Sequence, residues 1–320
     1  MIFWLVVKAF FGSFANGLPG AIAQGLIWGI MAIGVYISYK ILDIADLTVD
    51  GSICTGACVF AAVMAAGGPV WLGVLLAFVA GAAAGTITGL LHTALGIPAI
   101  LSGILTQLIL YSVNLGIMGG RSLVSIDHRT NNLLLHVSNN VGAITTTVGI
   151  VAVLIVVLWL FFYTEVGLTL KSTGDNPDMS RAQGVNVNFN KVLGLAISNG
   201  IVALAGCLYG QYNGFADLNM GRGAIVIGLA AIFIGLSISL KIKPNFVVSL
   251  IGVVGGGVLY YIIYNLVITL MTMFGLPTDY LKMFSSIIVI LFLAVPFLYK
   301  NYFKKQKPKP ALVEGGTADA

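Results

Sequence analysis

The chain has 320 residues, 58% of them hydrophobic and only 8% charged, with 40 glycines. A soluble domain is about a quarter charged, so the composition excludes a soluble enzyme and specifies an all-α polytopic membrane protein. The net charge of +5 does not point to nucleic acid, because the basic residues cluster at the ends of apolar runs and five of them (Lys300, Lys304, Lys305, Lys307, Lys309) lie in the C-terminal tail.

Taken in order, residues 1–18 lack both a basic start and a small-residue cleavage site, so they read as a retained interfacial segment or, alternatively, as a first span. Spans of roughly 20 apolar residues are then predicted at 19–39, 47–66, 70–94, 97–118, 144–163, 191–213, 223–240, 246–272 and 280–299, about nine helices within a range of eight to ten. Residues 1–300 form one transmembrane domain in this reading, and 301–320 are a basic tail ending in a disordered ALVEGGTADA. Gly96-Ile97-Pro98 breaks the chain between the third and fourth spans, and the polar stretch 119–143 is long enough for a small external structure. Gly81, Gly85 and Gly89, and again Gly252 and Gly256, repeat every fourth residue, which lets helix backbones approach closely in lipid.

The least apolar interior stretch is 164–190, with Glu165, Lys171, Asp175, Asp178 and Arg181. Within it Asn176-Pro177-Asp178-Met179-Ser180-Arg181-Ala182-Gln183-Gly184 has a helix signal at both ends. Asn176 suits the N-cap and Pro177 the first helical position. Asp178 and Arg181 complement the helix dipole, and Gly184 suits the residue just past the end. So short a helix needs a surface to dock on, whereas the plain alternative is a solvated loop.

Lysine and arginine bias orients the bundle. With the tail inside, the inner face holds Lys40, Lys171, Arg181, Lys191, Lys241, Lys243 and the five tail lysines, eleven in all, against Lys8, Arg121, Arg129, Arg222 and Lys282 outside. That places 164–190 and the C-terminus in the cytoplasm and the N-terminus outside.

No G-x-x-x-x-G-K-[ST], H-E-x-x-H or G-x-S-x-G motif occurs, so neither nucleotide binding nor a familiar hydrolase centre is encoded, and no catalytic residue is assigned. Cys54, Cys58 and Cys207 fall in apolar segments without neighbouring ligands and read as packing residues rather than a metal site. Apart from Asp50 at the entry to the second span and His92 at the end of the third, the spans lack the ionisable residues that an ion-driven carrier uses, which favours an energy source outside the chain acting through 164–190.

At this point the run from Thr164 into the following span resembles the coupling region of bacterial ABC importer permeases of the branched-chain amino acid and ribose class. Thr164, Gly167, Gly174, Asn176, Ala182, Gly184, Val185 and Asn186 carry the resemblance, while Leu168 and Thr173 depart from it. Asp46-Leu47-Thr48-Val49-Asp50-Gly51-Ser52 and the glycine-rich run Gly221–Gly235 are similar to two further family segments in the same order. The resemblance implies a homodimer, or a heterodimer with a similar permease, in the bacterial cell membrane, built on inverted repeats in which the segments starting at Leu47 and Gly223 correspond. It also implies two separate cytoplasmic ATPase subunits that bind the ATP and magnesium, and an external binding protein; this chain itself holds no cofactor. Gly174, Asp175, Asn176, Pro177, Asp178, Arg181, Ala182 and Gly184 are then the residues that meet the ATPase. The implied cargo is a small solute, an amino acid of aromatic or branched-chain type, with a sugar or nucleoside as the alternative.

Polar residues inside spans are the candidates for the translocation path: Thr48, Asp50, Ser52, Thr55, Ser102, Thr106, Gln107, Asn114, Asn199 and Asn265. Each has a second reading as an inter-helix hydrogen bond, worth about 0.6 kcal/mol in bilayers. Asp43, Asp46 and Asp50 read as interfacial caps, with the i, i+4 spacing of Asp46 and Asp50 leaving a cation site open.

Overall fold

A computed structural model describes residues 2–126, 134–135, 140–239, 245–275, 277, 280–281, 283–284, 286–287 and 290. Ten helices and two three-residue strands are found among them. Helix α1 (Ile2–Tyr36) ends in a π-helical turn (Ile37–Ile41), and α2 (Val49–Ala65), α3 (Val70–Thr93) and α4 (Ala99–Ile117) follow. Strand β1 (Leu123–Ser125) precedes α5 (Asn140–Tyr163), α6 (Glu165–Asp175), α7 (Pro177–Ala182) and α8 (Val187–Asn213). Strand β2 (Phe215–Asp217), α9 (Ala224–Ser239) and α10 (Phe246–Met273) complete the order.

Six stretches are long and apolar enough to cross a membrane: Phe10–Ile41, α3, α4, α5, α8 and α10. The predicted boundaries fall within a few residues of these helices. The first span differs, because residues 2–18 continue α1 as one helix through Pro19 instead of forming a separate interfacial segment. Two other predicted spans, α2 and α9, have 17 and 16 residues. At 1.5 Å per residue each covers about 25 Å, less than the roughly 30 Å hydrocarbon core. The predicted span at 280–299 and the basic tail lie largely or wholly outside the described residues.

Burial sorts the helices into two groups. In α1 and α8 the most apolar windows are 83% and 67% buried, against 28%, 28% and 17% in α3, α4 and α5. In α2, 12 of the 17 residues are buried as well, so α1, α2 and α8 form the centre. The outer helices keep apolar faces exposed, as lipid or a second membrane subunit requires.

Glycine makes the central contacts. The repeat Gly81, Gly85 and Gly89 lies on α8 at Asn199, Leu195 and Val192, where an added Cβ meets backbone. Gly56 and Gly206 make the same approach between α2 and α8, against Ala203 and Ile53. Gly256 fits against Ala231, joining α9 to α10. Strand β1 pairs antiparallel with β2, Val124 opposite Ala216. The period-2 signal of three residues is too short to stand out in sequence.

Candidate functional site

The polar segment is two helices. Thr164 caps α6 by accepting from the Gly167 N–H at 3.3 Å, and Gly167 itself packs on the backbone of Phe161 and Phe162. Asn176 then ends α6 and starts α7: its Oδ1 accepts from the Met179 N–H at 3.0 Å, with Pro177 in the first turn. Gly184 has φ +82°, the left-handed conformation that glycine adopts without penalty. The capped short helix therefore forms as its residues predict. Its outer surface is open: Asp178 is 93% and Arg181 58% exposed, 3.6 Å apart, a pair that contributes little to stability at such exposure. Met179 and Leu168 are exposed beside them.

The inner side is anchored. A Cβ on Gly174 meets the carbonyl of Ile41, so the end of α6 lies directly on the π-helical turn. Thr173, one of the two departures from the family pattern, is buried and accepts a 2.9 Å hydrogen bond from Asn190 Nδ2, tying α6 to the start of α8. Ser180 Oγ hydrogen-bonds Ser172 Oγ at 3.2 Å and ties α7 to α6.

Beyond the π-helical turn the chain leaves helical geometry over residues 42–48, with Asp43 at φ +56°. Here three of the ten predicted path residues, Thr48, Ser52 and Asn199, cluster around Asp46. Asp46 is buried and accepts from the Thr48 N–H (2.9 Å) and from Asn199 Nδ2 (2.6 Å). Ser52 Oγ donates to Asn199 Oδ1 at 2.6 Å, and Thr48 Oγ1 lies 2.7 Å from Thr88 Oγ1. Thr48, Ser52 and Asn199 thus make the inter-helix bonds that the alternative reading anticipated. Thr55 and Thr106 bond back to Gly51 and Ser102 in their own helices. Asn265 donates to the Phe14 carbonyl, away from this cluster.

Asp50 does something the sequence does not announce. Its carboxylate accepts from the Gly223 N–H (3.0 Å) and the Ile225 N–H (2.9 Å), capping α9 across 173 residues of chain. The two short apolar helices therefore meet at their N-terminal ends, at the segments that begin with Leu47 and Gly223. Asp46, expected at an interface, is instead enclosed. Both carboxylates face N–H donors, an arrangement that serves capping and not cation coordination. Cys54 belongs to the same joint: its Sγ donates to the Leu218 carbonyl and accepts from the Gly221 N–H, at 3.3 and 3.2 Å. Replacing Asp50 by alanine is expected to lower stability by about 1–2 kcal/mol, the scale of a lost N-cap. It is also expected to speed alkylation of the Cys54 thiol, read by mass spectrometry in membranes.

Two cavities flank the turn that leads into α9. The smaller, about 150 Å³, is bordered by Asp50, Cys54, Gln107, Tyr111, Asn114 and Arg222. It collects three of the predicted path residues, and the buried Asn114 Oδ1 beside it has no hydrogen-bond partner among the described residues. Ser102 is fully buried below, out of contact with this space. The larger, about 360 Å³, is walled by Trp28, Tyr209, Tyr260, Tyr261 and Tyr264 and bordered by Arg222 and Gly223. Trp28 is 5% exposed, and its Nε1–H also lacks an acceptor among the described residues. A buried donor left unpaired costs about 1–3 kcal/mol. The polar-residue criterion passes over this aromatic wall; the signal for it is Tyr260-Tyr261-Ile262-Ile263-Tyr264, tyrosines at helical spacing in an apolar span.

The family model described as branched-chain amino acid transport system / permease component matches residues 18–293. The chain belongs to this permease family. It is a multi-pass membrane permease subunit of the ABC importer type for a small solute, and such a subunit is not itself an enzyme. The permease is 38% identical over 281 residues to the tyrosine transport system permease protein of Clostridioides difficile (strain R20291), covering 87% of this chain and 91% of that one. It is 37% identical over 231 residues to an uncharacterized protein, RP368, of Rickettsia prowazekii (strain Madrid E), covering 72% and 81%. The autoinducer 2 import system permease protein LsrC of Yersinia pseudotuberculosis is 30% identical over 217 residues, covering 67% of the permease and 59% of LsrC. No solved structure matches the permease.

Proposed function

We propose that the permease forms the solute path of an ATP-driven importer and that α7 is its coupling helix. In this reading a pair of permease subunits, two copies of this chain, spans the cell membrane above two cytoplasmic ATPase subunits. An external binding protein delivers the solute, and ATP and magnesium stay on the ATPases. The C-terminus is cytoplasmic and the N-terminus external, following the lysine and arginine bias. The observation that carries the reading is α7 itself: a helix fixed by caps at both ends, open on its outer face at Asp178, Met179 and Arg181, and tied through Ser180 to α6, whose Gly174 rests on the π-helical turn that follows α1. A solvated loop needs neither the caps nor the anchor.

The cargo in this reading is an amino acid, aromatic or branched-chain. The relative named for tyrosine transport, which matches over most of both chains, supports it. The relatives named for autoinducer 2 favour a second reading, a sugar-like or nucleoside solute in the same architecture.

The test replaces Asn176-Pro177-Asp178 with three glycines and measures co-purification of the ATPase subunits and solute uptake into proteoliposomes. We expect uptake to fall at least tenfold and the ATPases to be lost, while the detergent-solubilised permease elutes unchanged. Intact association and uptake refute the assignment of α7. Uptake without any ATPase subunit, driven by an ion gradient, refutes the ATP-driven reading as a whole.

A further inference from the structure

We infer that the cavity walled by Trp28, Tyr209, Tyr260, Tyr261 and Tyr264 is a transient binding site for an aromatic amino acid, with Arg222 receiving the carboxylate. The inference rests on the proposed reading of the chain as an amino-acid permease and gives that solute a place on the permease itself. Its volume, about 360 Å³, lies at the small end of the roughly 300–1,000 Å³ typical of ligand pockets, room for one small solute.

The walls are specific in chemistry. Trp28 meets Tyr209 edge-on with ring centroids 5.5 Å apart, and meets Tyr261 at 5.9 Å. Tyr264 stacks on Tyr260 at 6.4 Å. The rings thus come from three helices, α1, α8 and α10, and offer faces and edges to a further ring at the offset or perpendicular geometries that aromatic pairs prefer. A wall meant only to pack would be filled; here the rings surround open volume. The polar groups gather where they would orient such a solute. Arg222 lines the cavity from the turn before α9, and no carboxylate pairs with it among the described residues. Asp50, which borders the neighbouring cavity together with Arg222, is engaged with the α9 N-terminus. The Trp28 Nε1–H is a buried donor with no acceptor among the described residues, so an incoming oxygen would supply a partner. The position agrees with the general rule that solute sites in transporters gather where short or broken helices meet end to end. Here α2 and α9 do so through Asp50.

The test uses the full-length permease in nanodiscs, without partners, and equilibrium binding of radiolabelled tyrosine, phenylalanine, leucine and ribose. Weak, saturable binding is expected for the two aromatic amino acids and not for leucine or ribose. Arg222→Gln, at an exposed position, is expected to weaken tyrosine binding at least tenfold while leaving tyramine, which lacks the carboxylate, within twofold. Trp28→Phe keeps the ring and removes the N–H, with an expected loss of about fivefold to tenfold. ATP-driven uptake with the ATPases and binding protein separates the two claims. Normal uptake of aromatic amino acids by both variants, with no binding to the isolated permease, overturns the site and leaves the permease reading standing. Failure of the unaltered system to import any amino acid overturns the reading on which the site depends. Equal binding of leucine and tyrosine overturns the aromatic assignment.

Discussion

Gly206→Leu is expected to prevent the permease from accumulating as folded protein. The α2–α8 contact is made by backbone on both sides: a Cβ at Gly206 overlaps the Ile53 carbonyl, and a Cβ at Gly56 overlaps that of Ala203. A flexible side chain could turn aside, but a helix carbonyl has nowhere to go without separating the helices. Overpacking a core costs about 1–3 kcal/mol when side chains absorb it, and backbone opposition lies at or beyond the top of that range. Because α2 is enclosed by its neighbours, opening this seam opens the centre of the bundle. The measurement is the yield of monodisperse protein in mild detergent with its apparent melting midpoint. Gly149→Leu is the control, since nothing lies within 4 Å of a Cβ there. Equal yield and melting for the two variants would show that the α2–α8 seam is looser than described.

Asn199→Leu should be the second most damaging change, and its size distinguishes two accounts of the helix break. Asn199 donates to Asp46 Oδ2 and accepts from Ser52 Oγ, with all three residues buried. Were this an ordinary neutral bond between helices, its loss would cost only about 0.6 kcal/mol. Stranding a buried carboxylate oxygen is a different matter, and removing one partner of a buried charged group costs about 3–5 kcal/mol. We expect the larger figure, read as a fall of about ten degrees in the melting midpoint. Adding Asp46→Asn to Asn199→Leu removes the uncompensated charge and should restore more than half of the loss. A drop of only one or two degrees, unaffected by Asp46→Asn, would sink this account of the break.

These two sites also show what the sequence discloses. Span boundaries were legible because hydropathy and Gly/Pro punctuation act locally, and Gly96-Ile97-Pro98 separates α3 from α4 as read. The ends of α7 were legible for the same reason: Asn176, Pro177 and Gly184 each act within three residues of their own position. Pairings over long chain distances were not. Nothing near Asp50 indicates that its partners are Gly223 and Ile225, and the i, i+4 spacing of Asp46 and Asp50, which left a cation site open beside the reading as caps, does not disclose that their partners lie on two different helices. The candidate path residues were chosen as polar groups in apolar spans. That criterion finds hydrogen-bonding side chains wherever they point, so it gathered Gln107 and Asn114 at a cavity together with Thr55 and Thr106, which satisfy their own helices. It passed over the aromatic wall because tyrosine and tryptophan count as apolar in such a search. Thr173 was a departure without a cause until the structure placed Asn190 against it.

The stretch from Ile37 to Thr48 is a π-helical turn followed by seven residues outside any helix, partly buried among stiff rods but with Asp43 and Ala45 exposed. Stiff rods transmit force and short irregular links absorb it, so this stretch is the compliant joint of the bundle. One end of it touches the amphipathic segment through Gly174 and Ile41; the other leads into α2, whose Asp50 holds α9. A push on the exposed face of α7 therefore has a short mechanical route: lever, joint, and then the pair of half-length helices beside the two cavities. Ile41 and Asp50, the two ends of that route, are less than three helical turns apart along the chain.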